Sequence, residues 1–294
     1  MKKGILCAAA LTFGAFGFAQ NTSNVNSVGN ANNSTVKQIG DLNDSDVDQI
    51  GNGNWQTTLQ FGVDNESVTL QTGDGNSSTA VEVGDNNIAD ANQTGTSNYA
   101  YLVQDGDDND SDQDQTGTIN YSAVFKTGDN NDSEVIQDGN QNFSYKYQTG
   151  DNNNSMVWQT GDLNNADVDQ IGDGNSQQTW QIGIGNDGVT LQTGNGNSST
   201  TGQFGDNNNA DANQDGDSNY SYVIQDGDGN ISDTDQLGII NYSAVFQTGN
   251  GHNSSVLQDG MLNLSLVTQN GVVGHISDVN QIGNNNSSVV TQNP

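Results

Sequence analysis

The side chains able to do chemistry in this 294-residue chain are mostly carboxylates and carboxamides. Acidic residues number 36 against five lysines and no arginine. The residue types most used for general-base or nucleophilic work are reduced to His252, His275 and Cys7. His252 fills a slot that is otherwise asparagine, and His275 lies beside a one-residue insertion. Both read as substitutions within a pattern, not as general bases. Acidic pairs are abundant, but no long loop builds a pocket around one, so no enzyme is expected. A divalent cation is the better match for the carboxylates. Asp110, Asp112 and Asp114 alternate along one segment, and carboxylate oxygens suit hard ions such as Ca²⁺. The same triplets also make a solvated acidic face that keeps a strand-rich chain soluble.

The carboxamides are the more ordered population. From Gln38 onward the sequence writes Gln-x-Gly-x-x and then usually Asn, 23 times, each first position eleven residues after the last. Glu82 and Lys126 replace the glutamine in two units, and the beat resumes at Gln281 and Gln292 after the insertion near His275. The glycine is present in every unit, from Gly40 to Gly283. A fixed short period specifies a stacked array.

Numbering each unit from its glutamine as position 0 shows what must hold these groups. Positions 1 to 4 carry Gly with Asp or Asn, the chemistry of a tight turn. Positions 5 to 11 are seven residues, a typical strand. Alternation places 5, 7, 9 and 11 on one face. Position 5 is Asn in 21 of 23 units, position 7 is Ser or Ala in 20, and position 9 is Val, Thr or Ala in 20. The intervening positions vary freely. The restricted face is therefore the inner one, small at position 7 and β-branched at position 9. By the same alternation Lys146 points inward, where the second copy of a longer repeat has Val267.

Two such units make a 22-residue strand–turn–strand coil. The expected fold is all-β, a two-sheet parallel β-solenoid with cross-β stacking. About 24 strands give roughly 12 coils, a rod of about 55–60 Å. A three-sided 33-residue coil is the competing geometry, and the small position-7 residues favour two close sheets. Stacked coils would set amide on amide at roughly 4.8 Å, so each buried carboxamide finds partners above and below. The assembly ladder is expected at Gln38, Asn43, Gln49, Asn54 and Gln60, at Gln159, Asn164 and Gln170, and at Gln281 and Asn286.

Composition sets the remaining bounds. Only 30% of residues are hydrophobic and the formal charge is −31, values that without periodicity would read as disorder. Residues 1–19 stand apart. Lys2 and Lys3 precede an apolar run from Ile5 to Phe18, and Gly17 and Ala19 suit cleavage after Ala19, so a secretory signal peptide is expected. Cys7 would leave with it. A lipoprotein reading of Leu6-Cys7 fits less well, because the apolar run follows the cysteine. The remaining chain would hold three lysines and 36 acids, 3 − 36 = −33, which excludes a binder of phosphate backbones. Residues 20–37 read as an Asn/Ser-rich leader with a first degenerate unit, and 38–294 as the solenoid.

A longer duplication overlies the short one. Residues 38–158 recur at 159–279 with an offset of 121, eleven units of eleven. Eleven is odd, so in a two-strand coil each segment should reappear on the opposite sheet. Outer positions alternate between acidic strands (Asp44/Asp46/Asp48, Asp110/Asp112/Asp114) and aromatic ones (Tyr99/Tyr101, Tyr121/Phe125, and in the second copy Tyr220/Tyr222, Tyr242/Phe246). The expectation is a rod with one acidic and one aromatic face, exchanging sides near Gln148–Gln170. The aromatic side chains are candidates for an adhesive face toward polysaccharide, a surface or a neighbouring fibril. Ordinary cross-strand packing is the alternative.

These units resemble the curlin repeat of curli-type functional amyloid subunits, Gln-x-Gly-x-x-Asn-x-Ala-x-x-x-Gln. Gln159–Gln170 (QTGDLNNADVDQ) and Gln203–Gln214 (QFGDNNNADANQ) match in full, and Gln38–Gln49 (QIGDLNDSDVDQ) carries Ser45 for the alanine. The family usually alternates this half with one led by serine, whereas both halves here are led by asparagine. The resemblance implies a secreted bacterial subunit that polymerises with itself into extracellular fibres of a biofilm matrix and serves surface adhesion. It also implies a nucleator subunit and an outer-membrane export pore as partners, and no cofactor. A soluble, monomeric β-solenoid that binds cations or surfaces is the alternative function.

Overall fold

The computed structural model describes residues 20–272 and 274–293. The expected signal peptide, residues 1–19, lies outside the described residues. The described chain forms 25 strands and no helix, from β1 (Thr22–Val28) and β2 (Asn33–Asp41) to β24 (Ile276–Ile282) and β25 (Ser287–Gln292). Odd-numbered strands make a 13-stranded sheet and even-numbered strands a 12-stranded one, all neighbours parallel. Each strand pairs with the residue 22 further on, as in Asp44↔Glu66. At the insertion the step becomes 23, Asn253↔Ile276, and the register is otherwise kept. The fold is the two-sheet solenoid, about twelve turns of 22 residues.

The turns explain the invariant glycine more strongly than turn propensity does. Gly139 has φ of +131°, and a Cβ there would lie 1.9 Å from the carbonyl oxygen of Gly161 on the next coil. Backbone sign and vertical stacking thus exclude every other residue. Two places on, the chain is left-handed again, at Asn152 (φ 60°) and even at Ile119 (φ 60°) and Ile240 (φ 58°).

The inside is thin. Apolar burial reduces to a column of Val and Ala, as in the cluster Val223, Val245, Val256 and Val267. Polar residues line most of the rest: Asn43, Gln49, Ser133 and Gln159 are all buried. Many position-7 hydroxyls, among them Ser111, Ser133 and Ser232, have no hydrogen-bond partner. Space, not bonding, selects the small residue there, and alanine takes the same slot at Ala89, Ala166 and Ala210.

The outer faces exchange where the odd duplication places the change. On the even-strand sheet, β8 (Tyr99–Asp105), β10 (Tyr121–Thr127) and β12 (Phe143–Thr149) show aromatic residues outward. The next strand, β14 (Asn165–Ile171), sets Asp167 and Asp169 directly against Tyr145 and Tyr147. On the odd-strand sheet, acidic β9 (Asp110–Thr118) and β11 (Asp132–Asn140) give way to β13 (Asn154–Asp162), with Met156 beside Glu134 and Trp158 beside Ile136.

Candidate functional site

The internal amide ladders are the most regular chemical feature of the molecule. On the odd-strand sheet Gln49 donates from Nε2 to Gln71 Oε1 at 2.9 Å. Gln159 continues to Gln181 at 2.8 Å, and Gln269 reaches Gln292 at 2.8 Å. Each Nε2 also donates across the core to a strand-start carbonyl, as Gln49 does to Asn33 at 3.0 Å. On the even-strand sheet Gln38 donates to Gln60 at 2.9 Å, Gln170 to Gln192 at 2.9 Å, and Gln258 to Gln281 at 2.8 Å. In every one of these links the donor is the lower-numbered residue.

Position-5 asparagines do a second job. Asn43 Oδ1 accepts the backbone N–H of Asn65 at 3.1 Å, and Asn43 Nδ2 donates to Gly62 O at 2.9 Å. Asn54 does the same with Asn76 and Gly73, and Asn164 with Asn186 and Gly183. Asn286 closes the series against Asn263 at 3.0 Å. The side chain thus satisfies the turn backbone that no strand pairing reaches. His252 imitates it in part: its N–H donates to Asn230 Oδ1 and Nδ1 accepts His275 N–H, while Nε2 meets Thr248 O of its own coil and not the turn glycine of the next. The two imidazoles stack at 5.2 Å. Both histidines are ladder members.

The ladder also includes residues that the repeat pattern did not flag. Asn21 and Asn32 accept the N–H groups of Asn43 and Asn54. Ser27 stands opposite Gln49, in a glutamine slot, the departure that makes this first unit degenerate. A second missed feature is a file of aspartates on one rim. Asp85, Asp107, Asp129, Asp151 and Asp173 each accept a backbone N–H from the preceding coil at 2.8–2.9 Å. Reading position 3 at a spacing of 22 would have found it.

The calcium candidates all lie on β9 (Asp110–Thr118). Asp110, Asp112 and Asp114 stand in file along β9 and do not converge. Among the described residues no group of three or more His, Cys, Asp or Glu side chains could hold a metal ion. What they do is crowd. Partial burial, then Asp114, Asp90, Glu134 and Asp110, push the Asp112 carboxyl up to about 6. Asp110 moves up as well, by desolvation against the pull of Lys126.

The aromatic candidates form flat columns. Tyr99 stacks on Tyr121 at 5.1 Å and Tyr121 on Phe143 at 5.0 Å. Tyr101 and Phe125 are tilted at 5.5 Å. On the opposite sheet Tyr220 stacks on Tyr242 at 4.9 Å and Tyr222 meets Phe246 at 5.6 Å.

Three ionisable groups interrupt the core. Glu82 receives Gln60 Nε2 at 2.8 Å, and desolvation pushes its carboxyl up to about 9. Lys126 bonds the carbonyls of Asp110 and Asn131, and burial brings its ammonium down to about 7. Lys146 does point inward, to the carbonyls of Glu134 (2.5 Å) and Ser155 (2.8 Å). Its pKa falls well below the ordinary lysine value, through burial and then through Lys126.

Comparison with known proteins agrees with the geometry. The curlin associated repeat matches residues 84–117, 128–161, 147–172 and 205–238. No curated protein matches the chain. The matched stretches lie in both copies of the long duplication and contain the ladder residues Gln93, Gln137, Gln159 and Gln214. Sequence repeat and stacked coil therefore coincide over the matched residues, and these stretches carry the curlin associated repeat.

Proposed function

We propose that the protein is a secreted structural subunit that assembles with further copies of itself into extracellular, curli-like amyloid fibres of a biofilm matrix. The observation that carries this reading is the uninterrupted glutamine ladder of the odd-strand sheet. From Gln49 to Gln292 each rung needs only another copy of the same rung. Parallel, in-register strands are also a template for strand addition. Near the last described coil, Ile276 is 75% exposed and Ile282 71%, and a hollow lined by Val279, Gln281, Ser288 and Val290 opens on the core. Incubating purified protein from Gln20 onward, with and without Ca²⁺, should give dye-binding fibres with a parallel cross-β spacing of about 4.8 Å. A species that stays monomeric in both conditions rejects the proposal; one held monomeric by Ca²⁺ favours the soluble cation-binding alternative.

The stacked aromatic columns support an adhesive role for the face carrying Tyr99, Tyr101, Tyr121 and Phe125. Replacing these four by serine should leave fibre formation intact and lower attachment of fibres to polysaccharide-coated surfaces several-fold. Attachment equal to that of the unsubstituted protein removes this part of the reading.

A further inference from the structure

The two copies of the long duplication are unequal inside, although they look alike outside. Six inward residues of the first copy break the repeat's rules; Gln56 recurs as Gln177 and Leu102 is apolar, which leaves Glu82, Gln113, Lys126 and Lys146 as departures peculiar to this copy. Adding 121 gives their equivalents, Gln203, Thr234, Gln247 and Val267, all regular. The four departures fall in adjacent coils, between β6 (Ser77–Val83) and β12.

The cost is visible rung by rung. In the second copy Gln203, Gln225, Gln247 and Gln269 are joined by three consecutive links of 3.0, 2.9 and 2.9 Å. The equivalent file in the first copy is Glu82, Gln104, Lys126 and Gln148. Lys126 has no acceptor to offer Gln104, whose Nε2 goes only to Ile88 O. The Oε1 atoms of Glu82, Gln104 and Gln148 are buried without a partner. The apolar column suffers as well. Lys146 sits between Val124 and Val168, separating the cluster that holds Leu102, Val124 and Val135 from that of Val157, Ala166 and Val168. In the second copy Val267 joins Val245, Val256 and Val279 in one cluster. The amino groups of Lys126 and Lys146 meet backbone carbonyls and have no carboxylate partner, so on burial each must either stay charged at a desolvation cost or give up its proton. Departures in the second copy are mild: Gln177 repeats Gln56 of the first, Gly188 is neutral and small, and His252 keeps its rung.

From this asymmetry we infer that residues 159–279 are the folding nucleus and template of the molecule, and that residues 38–158 form a follower that closes onto the finished second copy. A one-dimensional array begins where its intrinsic and nearest-neighbour terms are best and propagates outward. The follower cannot begin the array, because its central coils must bury or neutralise three ionisable side chains and forgo three side-chain links before the coils around them exist. Once β14 is in place, its Val168 and Gln170 offer a preformed surface for β12. The order of closure is thus from the junction toward β2. This inference concerns a single chain and stands whether or not fibres form.

Pulse-labelling hydrogen exchange during refolding of the protein from Gln20 onward tests it. Amides of β14 to β23 (Leu264–Gly271) should gain protection at least tenfold earlier than those of β4 (Trp55–Val63) to β12. The triple variant Glu82→Gln, Lys126→Gln, Lys146→Val should bring the two halves within about twofold of each other. The reciprocal variant Gln203→Glu, Gln247→Lys, Val267→Lys should delay the second half, and if it does not fold at all, the nucleus assignment is supported directly. Simultaneous protection of both halves in the unsubstituted protein, or a lag unchanged by the repairing triple variant, overturns the inference.

Discussion

At the scale of single residues, the fold depends on amides that are cheap to bury only because the next coil repeats them. Glu82 shows what happens when a rung is acidic. Its folded carboxyl titrates near 9 and its free form near 4.5, so between these values the folded chain holds the extra proton. Stability from this site is therefore full below about pH 4.5 and falls as pH rises toward 9. Glu82→Gln should remove that loss. The gain over the unsubstituted protein should be small at pH 5 and on the order of a few kcal/mol at pH 9, read by urea unfolding at each pH. Lys126 contributes the opposite slope above about pH 7 in both proteins, and so cancels from the comparison. A difference independent of pH would show that Glu82 is not buried in its protonated form. The inward position of Lys146 was legible from strand alternation. Its two carbonyl partners were not, because they belong to the facing sheet.

At the scale of elements, the turn does more than reverse the chain. Its fourth position is left-handed throughout, and β-branched Ile119 and Ile240 hold that conformation against steric preference. The two are equivalents in the long duplication, and both are exposed. Ile240→Gly should therefore stabilise the protein by about 1 kcal/mol, a rise of ~2–4 °C in Tm. An unchanged or lowered Tm would show that the isoleucine contributes compensating contacts. The 22-residue coil and the exchange of faces at β12–β14 were both legible, since each follows from counting: two strands per coil and an odd number of units per duplication. The first coil was less so. Ser27 breaks the motif's first letter, while its geometry is set by Gly29 and Asn32, which keep the pattern. The rim aspartates escaped notice because turn chemistry already accounted for them one unit at a time.

At the scale of the whole molecule, charge opposes compaction and pH sets how strongly. Asp112 titrates near 6 when folded against 3.8 when free, so the folded form gains relative stability as pH falls from about 7 to 4. Asp90, Asp167, Asp211 and Asp233 are raised in the same direction, each chiefly by desolvation. With a formal charge of −31, lower pH also weakens repulsion between copies. Elongation from preformed seeds at constant ionic strength should be several-fold faster at pH 5 than at pH 8. A rate that is flat or rising with pH would mean that carboxylate repulsion does not control addition. The uniform direction of the glutamine links has a consequence of its own. Because each Nε2 of the odd-strand ladder reaches toward the higher-numbered coil, the side-chain dipoles add along the axis, much as peptide dipoles add along a helix. A filament of such units is an arrow. On the proposed assembly, its leading tip would offer donors and its trailing tip acceptors, so the two tips should grow at different speeds, and every break would create one tip of each kind.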